Sequence, residues 1–459
     1  MVFSSIEFLY YFLPIVLLFY FIVPFKFKNF VLFISSVFFY FYGEPRYVVV
    51  LLFSCLFNYL YSHWLDKSKN KKLMLIINLI INFSFLFYFK YCNFFLDNIN
   101  NVLNTSFHLS NIIMPIGISF FTFQSTSYVI DVYWGKVKPA KSFLIFASYL
   151  SLFPQLIAGP IVRYETVEAE LYERSHSFEF FYKGMKRLII GLGKKVLLAN
   201  ILGEFSKALA GLATKTVLSF WLKAFSDSMQ LYFDFSGYSD MAIGLGLIFG
   251  FHFLENFNYP FIANSITNFW HRWHISLSTW FKDYVYIPLG GSRVGEVRRY
   301  INIFIVWMAT GFWHGADWNF ILWGLYFAFF LIIEKKFFLG FLKKHKVFSH
   351  VYTVILVVLG FVIFNETNLV SIVSTFKNMF FLGNIPLTNL ETMYYFNNYA
   401  VVFIVSMILS TPVVKFINNK LKLNEKFGMF EGIVYIALFI VITAYIVDAS
   451  FNPFLYFRF

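Results

Sequence analysis

The sequence predicts an all-α, polytopic integral membrane protein of about 11 to 12 spans, with short re-entrant helices around a polar centre. Three observations predict it. Of 459 residues, 59% are apolar, 13% are charged and 67 are Phe, a composition outside the soluble globular range. Apolar runs of about 20 residues, the length that crosses a hydrocarbon core, recur from Phe8 to Val447 with only short polar gaps. The 37 Lys and Arg residues, which give a net charge of +13, fall in clusters between these runs rather than along one soluble face. Membrane topology therefore accounts for them, and nucleic acid is not an expected partner. The same facts exclude a disulfide scaffold, a cysteine-based zinc module and a soluble enzyme on a small anchor. Cys55 and Cys92, the only two cysteines, each lie in or beside an apolar run and read as buried free thiols.

The first run, Phe8 to Phe25, follows Glu7 and no positive charge, so it reads as a retained span and not as a cleaved leader. Lys26 and Lys28 follow it, Glu44 and Arg46 follow the second run, and Lys67, Lys69, Lys71 and Lys72 follow the third. This alternation of basic and weakly charged loops places the N-terminus outside. Leu73 to Phe89 leads to an Asn-rich outer loop, Asn93 to Asn111, and Ile112 to Ile130 returns to Lys136, Lys138 and Lys141. Further on, the basic patch Lys335 to Lys346 precedes Tyr352 to Phe364, and the stretch to Asn398 is nearly free of Lys. Val401 to Val414 returns to Lys415, Lys420, Lys422 and Lys426, and Ile433 to Val447 ends outside. Residues 143 to 334 break the pattern, since Pro154, Pro160, Pro260, Pro288 and many Gly interrupt the apolar runs. Irregular backbone at membrane depth is tolerated only where protein buries it or it lines a wet cavity. No internal or inverted repeat stands out, which disfavours a secondary transporter. The enrichment in Phe, Asn and Lys reads as the mark of an AT-rich genome.

Polar groups crowd against Trp and Gly in two stretches. In Asn268 to Ser278, His271 and His274 are three residues apart and would share a face if the stretch were helical. A metal pair, a catalytic histidine beside an unrelated one, and a polar pair at the headgroup boundary all remain open. The other histidines are scattered singly, which speaks against metal. In Thr310 to Trp318, about 13 residues of apolar helix from Ile301 span roughly 20 Å, short of the roughly 30 Å core. His314 should therefore stop inside the membrane, where an ionisable group is a functional candidate and a neutral imidazole a competent base. A hydrogen-bonded packing histidine is the alternative, and Asp317 reads either as a support for its ring or as a helix cap. Gly159 with Pro160, and Gly290 with Gly291, mark turns and lack the context of a phosphate loop. Arg272, Lys282, Asp283, Arg293, Arg298 and Arg299 form a basic inner rim, either simply solvated or a landing place for an anionic substrate. The aromatic tail, Asn452 to Phe459, reads as an interfacial belt or as something chemical at the outer side.

In these stretches the sequence resembles the membrane-bound O-acyltransferases, specifically their bacterial branch. Met114 to Phe123 (MPIGISFFTF), Phe153 to Arg163 (FPQLIAGPIVR), Phe233 to Ala242 (FDFSGYSDMA), Asn268 to Leu289 and Gly311 to Trp318 (GFWHGADW) carry the likeness, which covers most of the chain. It implies a single domain over residues 1–459, with core motifs in 112–334, C-terminal spans and tail in 351–459, and a central tunnel. It implies His314 and His274 as the catalytic histidines, no role for His271, and Tyr456 as acyl carrier, although Arg458 stands where the tail motif more often has Gln. It further implies acetyl-CoA as donor substrate, docked on Arg272, Lys282, Arg298 and Arg299, with no bound cofactor and no metal. An extracytoplasmic, esterase-like (SGNH-type) partner would deliver the acetyl group to a cell-wall polysaccharide. Alginate, peptidoglycan and D-alanylated teichoic acid are the branch's acceptors, and the AT-rich usage favours peptidoglycan. D-alanyl transfer is disfavoured because the tyrosine tail is fused here. The location expected is the bacterial cytoplasmic membrane, multi-pass.

Overall fold

The computed structural model of the chain describes residues 1–107, 112–157, 159–421 and 423–448, and every regular element among them is helical. The chain forms two compact units, Met1–Leu188 with Ser239–Leu254, and Ile189–Tyr238 with Glu255–Phe459. It passes between them three times, twice within helices and once in the loop at Leu254 and Glu255.

The first unit holds α1 (Leu13–Ile22), α2 (Phe25–Gly43), α3 (Val48–Lys67), α4 (Lys71–Leu86), α5 (Cys92–Leu103) and α6 (Ile118–Trp134). The short helices α7 (Phe143–Ser151), α8 (Phe153–Leu156) and α9 (Tyr164–Tyr172) follow, with most of α10 (Phe178–Gly193). Pro24 separates α1 from α2, since proline cannot continue a helix that would need its N–H. Where α3 and α4 face each other, Asn58, Asn78 and Asn82 close a ring of side-chain amide hydrogen bonds of 3.0–3.1 Å. In an apolar surrounding such a ring satisfies groups that would otherwise be costly to bury. The Asn-rich stretch expected to be an outer loop from Asn93 is instead helical to Leu103, one continuous 33-residue helix from Lys71. Phe94, Phe95, Ile99, Val102 and Leu103 keep an apolar stripe through it, and the helix stops at Asn104, whose backbone is left-handed (φ 51°).

The second unit begins within α10 and contains α11 (Ile201–Ala210), most of α12 (Val217–Ile248), α13 (Ile266–Trp270), α14 (Ile275–Phe281), α15 (Glu296–His314) and α16 (Trp318–Ile333). It continues through α17 (Leu339–Lys344), α18 (Lys346–Asn365), α19 (Leu369–Met379), α20 (Leu390–Leu409), α21 (Val413–Leu421) and α22 (Leu423–Asp448). The short helices expected in the centre of the chain are present, but α12, at 32 residues, is long. Its buried Asp234 meets Lys195 at 2.7 Å, and a Cβ on its Gly237 would lie 2.8 Å from the Gly191 carbonyl. A buried ion pair and backbone contact thus replace apolar packing there. Among the described residues, five helices, Val48–Lys67, Lys71–Leu103, Lys346–Asn365, Leu390–Leu409 and Phe430–Asp448, are long and apolar enough to cross a membrane. Together they make this a multi-pass membrane protein. Cys55 and Cys92 are free thiols, Cys55 buried and Cys92 half-buried.

Candidate active site

Two histidines reach the interior of the second unit by different routes. α15 and α16 form a hairpin whose helices touch backbone to backbone, because a Cβ on Gly311 would lie 2.4 Å from the Phe320 carbonyl and one on Gly324 would lie 2.5 Å from that of Trp307. His314 is the last residue of α15; Gly315 is extended, and a side chain there would strike the Phe320 ring. Asp317 starts the next helix as its N-cap, its Oδ1 accepting from the Trp318 N–H at 2.7 Å, so of its two expected readings the cap is the one observed. The His314 ring is buried against three others: Trp313 at 4.8 Å, Trp323 at 5.0 Å and Phe364 at 5.2 Å between centroids. Asn319 fixes the last of these by donating from Nδ2 to the Phe364 carbonyl at 2.9 Å.

His274 arrives through a break rather than a helix. α13 is only five residues long, capped by Ser265 and by the buried Glu334, whose carboxylate accepts the N–H groups of Ile266 at 2.7 Å and Thr267 at 3.1 Å. It ends at Trp270, and His274 then takes a left-handed backbone (φ 45°, ψ 55°), so the shared face expected of His271 and His274 does not form. His271 is exposed and His274 is 2% exposed. A non-glycine residue held in that conformation costs of order 1–3 kcal/mol, which surrounding contacts must offset. Asn256 supplies them. Its Oδ1 receives the Ser276 N–H at 3.2 Å, the Ser276 hydroxyl at 2.9 Å and His274 Nδ1 at 3.1 Å. A backbone N–H can only donate, so the atom it meets on Asn256 is the oxygen, and His274 Nδ1 must carry its proton. The Nε2 lone pair is then presented, and burial favours that neutral ring. Phe235 stands edge-on to it at 4.6 Å.

The two histidines meet on one indole. The His274 ring lies 6.0 Å from Trp313, which is itself 4.8 Å from His314. Two neutral-capable imidazoles against a shared aromatic wall, away from water, suit proton transfer to and from a weakly acidic hydroxyl or thiol. Sequence reasoning found both histidines and Trp313, but not Asn256, which lies in a stretch without a motif and meets His274 only in the fold.

The basic rim is partly assembled. Arg272 is half-buried and braces the loop before α13, donating to Asn268 Oδ1 at 3.1 Å and to the Asn258 carbonyl at 3.0 Å. Partial desolvation, with Lys335 and Lys282, holds the His271 imidazole below its ordinary value, and partial desolvation with Arg299 does the same for the Lys335 ammonium. Lys282, Arg299, Lys335 and His271 therefore share one positive field, Lys335 being a member that the sequence reading left among the topology signals. Arg298 is exposed in the first turn of α15. Tyr456 lies outside the described residues.

Comparison with known proteins identifies the family. The profile of MBOAT, the membrane-bound O-acyltransferase family, matches residues 139–373, which include both histidines and the rim. The probable alginate O-acetylase AlgI of Pseudomonas aeruginosa is 40% identical over 406 residues, covering 85% of this chain and 77% of that protein. The peptidoglycan O-acetyltransferase of Helicobacter pylori is 37% identical over 433 residues, 85% of this chain and 82% of that one. The teichoic acid D-alanyltransferase of Bacillus subtilis is 31% identical over 249 residues, 51% of this chain and 62% of that one. The family that five sequence motifs resembled is the family found: the chain belongs to the membrane-bound O-acyltransferases and is an acyltransferase.

Proposed function

We propose that the protein relays acetyl groups from cytoplasmic acetyl-CoA across the bacterial cytoplasmic membrane, for O-acetylation of an extracytoplasmic polysaccharide. The single observation that carries the reading is the meeting of His274 and His314 on Trp313, in a chain aligned over 85% of its length with both an alginate and a peptidoglycan O-acetylase. Peptidoglycan is favoured over alginate, a preference that rests on residue usage.

Acetyl-CoA docks by its phosphates on the rim of Arg272, Lys282, Arg298 and Arg299, and its thioester reaches His314. His314 takes the proton of the Tyr456 hydroxyl as the phenolic oxygen attacks the carbonyl carbon. The tetrahedral adduct collapses, the carbon–sulfur bond breaks, and the leaving thiolate recovers the proton from His314. His274, oriented by Asn256 and kept neutral by burial, accepts or returns a proton beside it. An esterase-like extracytoplasmic partner then carries the acetyl group from tyrosine to the sugar hydroxyl. His314 is buried among the rings of Trp313, Trp323 and Phe364, away from bulk water, which supports the assignment of base.

The test is intact mass after incubation with acetyl-CoA. Wild type gains one acetyl group, and Tyr456→Phe and His314→Ala gain none. No gain in wild type would turn the reading toward another thioester such as a D-alanyl carrier, and a gain in Tyr456→Phe would move the carrier to another residue.

A further inference from the structure

Near His314, two buried donors have no acceptor among the described residues. The indole Nε1 atoms of Trp323 and Trp270 are buried without a hydrogen-bond partner among the described residues, in side chains only 1% and 8% exposed. They belong to one cluster. The Trp323 ring stands edge-on to His314 at 5.0 Å, and Trp270 stands edge-on to Trp323 at 5.4 Å. A buried indole N–H ordinarily finds an acceptor, and one left without it costs about 1–3 kcal/mol. Apolar residues of similar size would fill the same volume without that penalty. Phe327 does so next to both, at 4.8 Å from Trp270 and 5.2 Å from Trp323. Two such donors in one cluster, Trp323 against the base and Trp270 one ring further on, describe a place prepared for an acceptor oxygen.

The acyl-transfer reaction supplies one such oxygen. When a hydroxyl attacks a thioester, the carbonyl π pair moves onto oxygen, and the charge needs donors already in position, because reorienting them during the step would raise the barrier. We infer that Trp323 and Trp270 bind the thioester carbonyl oxygen and stabilise its oxyanion, with their two N–H groups as the donors. The inference rests on the acyl-transfer reading above. The attacking oxygen forms its bond to the carbonyl carbon while its proton passes to His314. The displaced pair sits on the carbonyl oxygen against the two indoles, then re-forms the double bond as the thiolate leaves and takes the proton back. The sequence held this pair in plain sight, as the tryptophan of Phe269-Trp270-His271 and that of Leu322-Trp323-Gly324, but tryptophan in a membrane protein is read first as an interfacial anchor.

Replacing indole by phenyl keeps an aromatic ring and removes the donor. Trp323→Phe should slow single-turnover acylation by acetyl-CoA by roughly 10²-fold, the usual loss for one oxyanion donor, with KM changed by less than about threefold. Trp270→Phe should do the same. Trp307→Phe, a half-buried neighbour that packs on both rings, should keep wild-type rates. A structural role for the indoles is separated by infrared spectroscopy of carbonyl-labelled acetyl-CoA bound to inactive His314→Ala. The carbonyl stretch should rise when Trp323→Phe is added, because a hydrogen bond to that oxygen is lost. Wild-type acylation in both Phe variants, or an unshifted stretch, overturns the inference while leaving the acyltransferase reading intact. No acylation in wild type removes both.

Discussion

At the scale of single residues, orientation decides which polar groups can act. Asn256 holds His274 by one oxygen that also receives two donors from Ser276, so the ring's tautomer follows from a side chain that no motif announces. Asn256→Ala should lower acetyl transfer by about 10²-fold, the low end of what a positioned acid–base group contributes, and Asn256→Asp should retain more because it keeps the accepting oxygen. Single-turnover acylation distinguishes the two. The buried pair Lys195 and Asp234 makes a different kind of claim, about stability alone. Lys195→Met leaves a carboxylate buried without its cation and should cost about 3–5 kcal/mol, whereas Lys195→Met with Asp234→Leu should melt near wild type. Thermal unfolding in detergent compares them. Asp234 was visible in the sequence only as part of a family motif, since its partner lies 39 residues earlier and no local periodicity links the two.

At the scale of elements, length and apolarity made the long spans legible and the short helices not. Tyr352 to Phe364 fell within an observed span because lipid-facing helices carry an uninterrupted apolar signal, whereas Val401 to Val414 began eleven residues late and overran a helix that spans Leu390–Leu409 and stops before Pro412. The stretch from Asn93 was misread because asparagine lowers helix propensity without forbidding a helix whose apolar stripe persists. The face shared by His271 and His274 failed for the opposite reason. Helical spacing was assumed across a break that only the capping of α13 by Ser265 and Glu334 and the left-handed His274 reveal. Glu334 holds that short helix from 67 residues away, through the Thr267 N–H and hydroxyl, so Glu334→Ala should reduce acylation without touching either histidine. A melting temperature that stays within a few degrees of wild type would separate this from unfolding. Along the hairpin, Gly324→Val places a side chain where the Trp307 carbonyl lies 2.5 Å from the first added atom. Overpacking of this kind costs about 1–3 kcal/mol, and it should also lower transfer, because His314 terminates the displaced helix.

At the scale of the whole chain, composition alone separated a membrane protein from a soluble one, and family motifs then carried the function further than physics could. The rim shows the division. Clusters of Lys and Arg identified a topology, and the structure joins Lys282, Arg299 and Lys335 into a common field around His271. An anionic donor drawn to such a field should bind less well as salt rises, so KM for acetyl-CoA should increase between 50 and 300 mM salt, about the range over which screening shortens below 10 Å. Arg299→Glu should raise KM about tenfold, close to 1.4 kcal/mol, and leave kcat within twofold. Steady-state kinetics at two ionic strengths checks both.

The glycine seam between α15 and α16 has a consequence for how the enzyme meets its lipid. Helices separated by long side chains can slide as a bilayer thickens or thins, since each side chain offers several rotamers to absorb the shift. Here carbonyl and Cα atoms themselves meet at Gly311 and Gly324, and no rotamer exists to take up a displacement. The hairpin is therefore a stiff beam, and the depth of His314 is set by the protein and not by the acyl chains around it. Turnover in vesicles of short-chain and long-chain phosphatidylcholine should differ by less than twofold for the native seam, and should become chain-length dependent in Gly324→Ala.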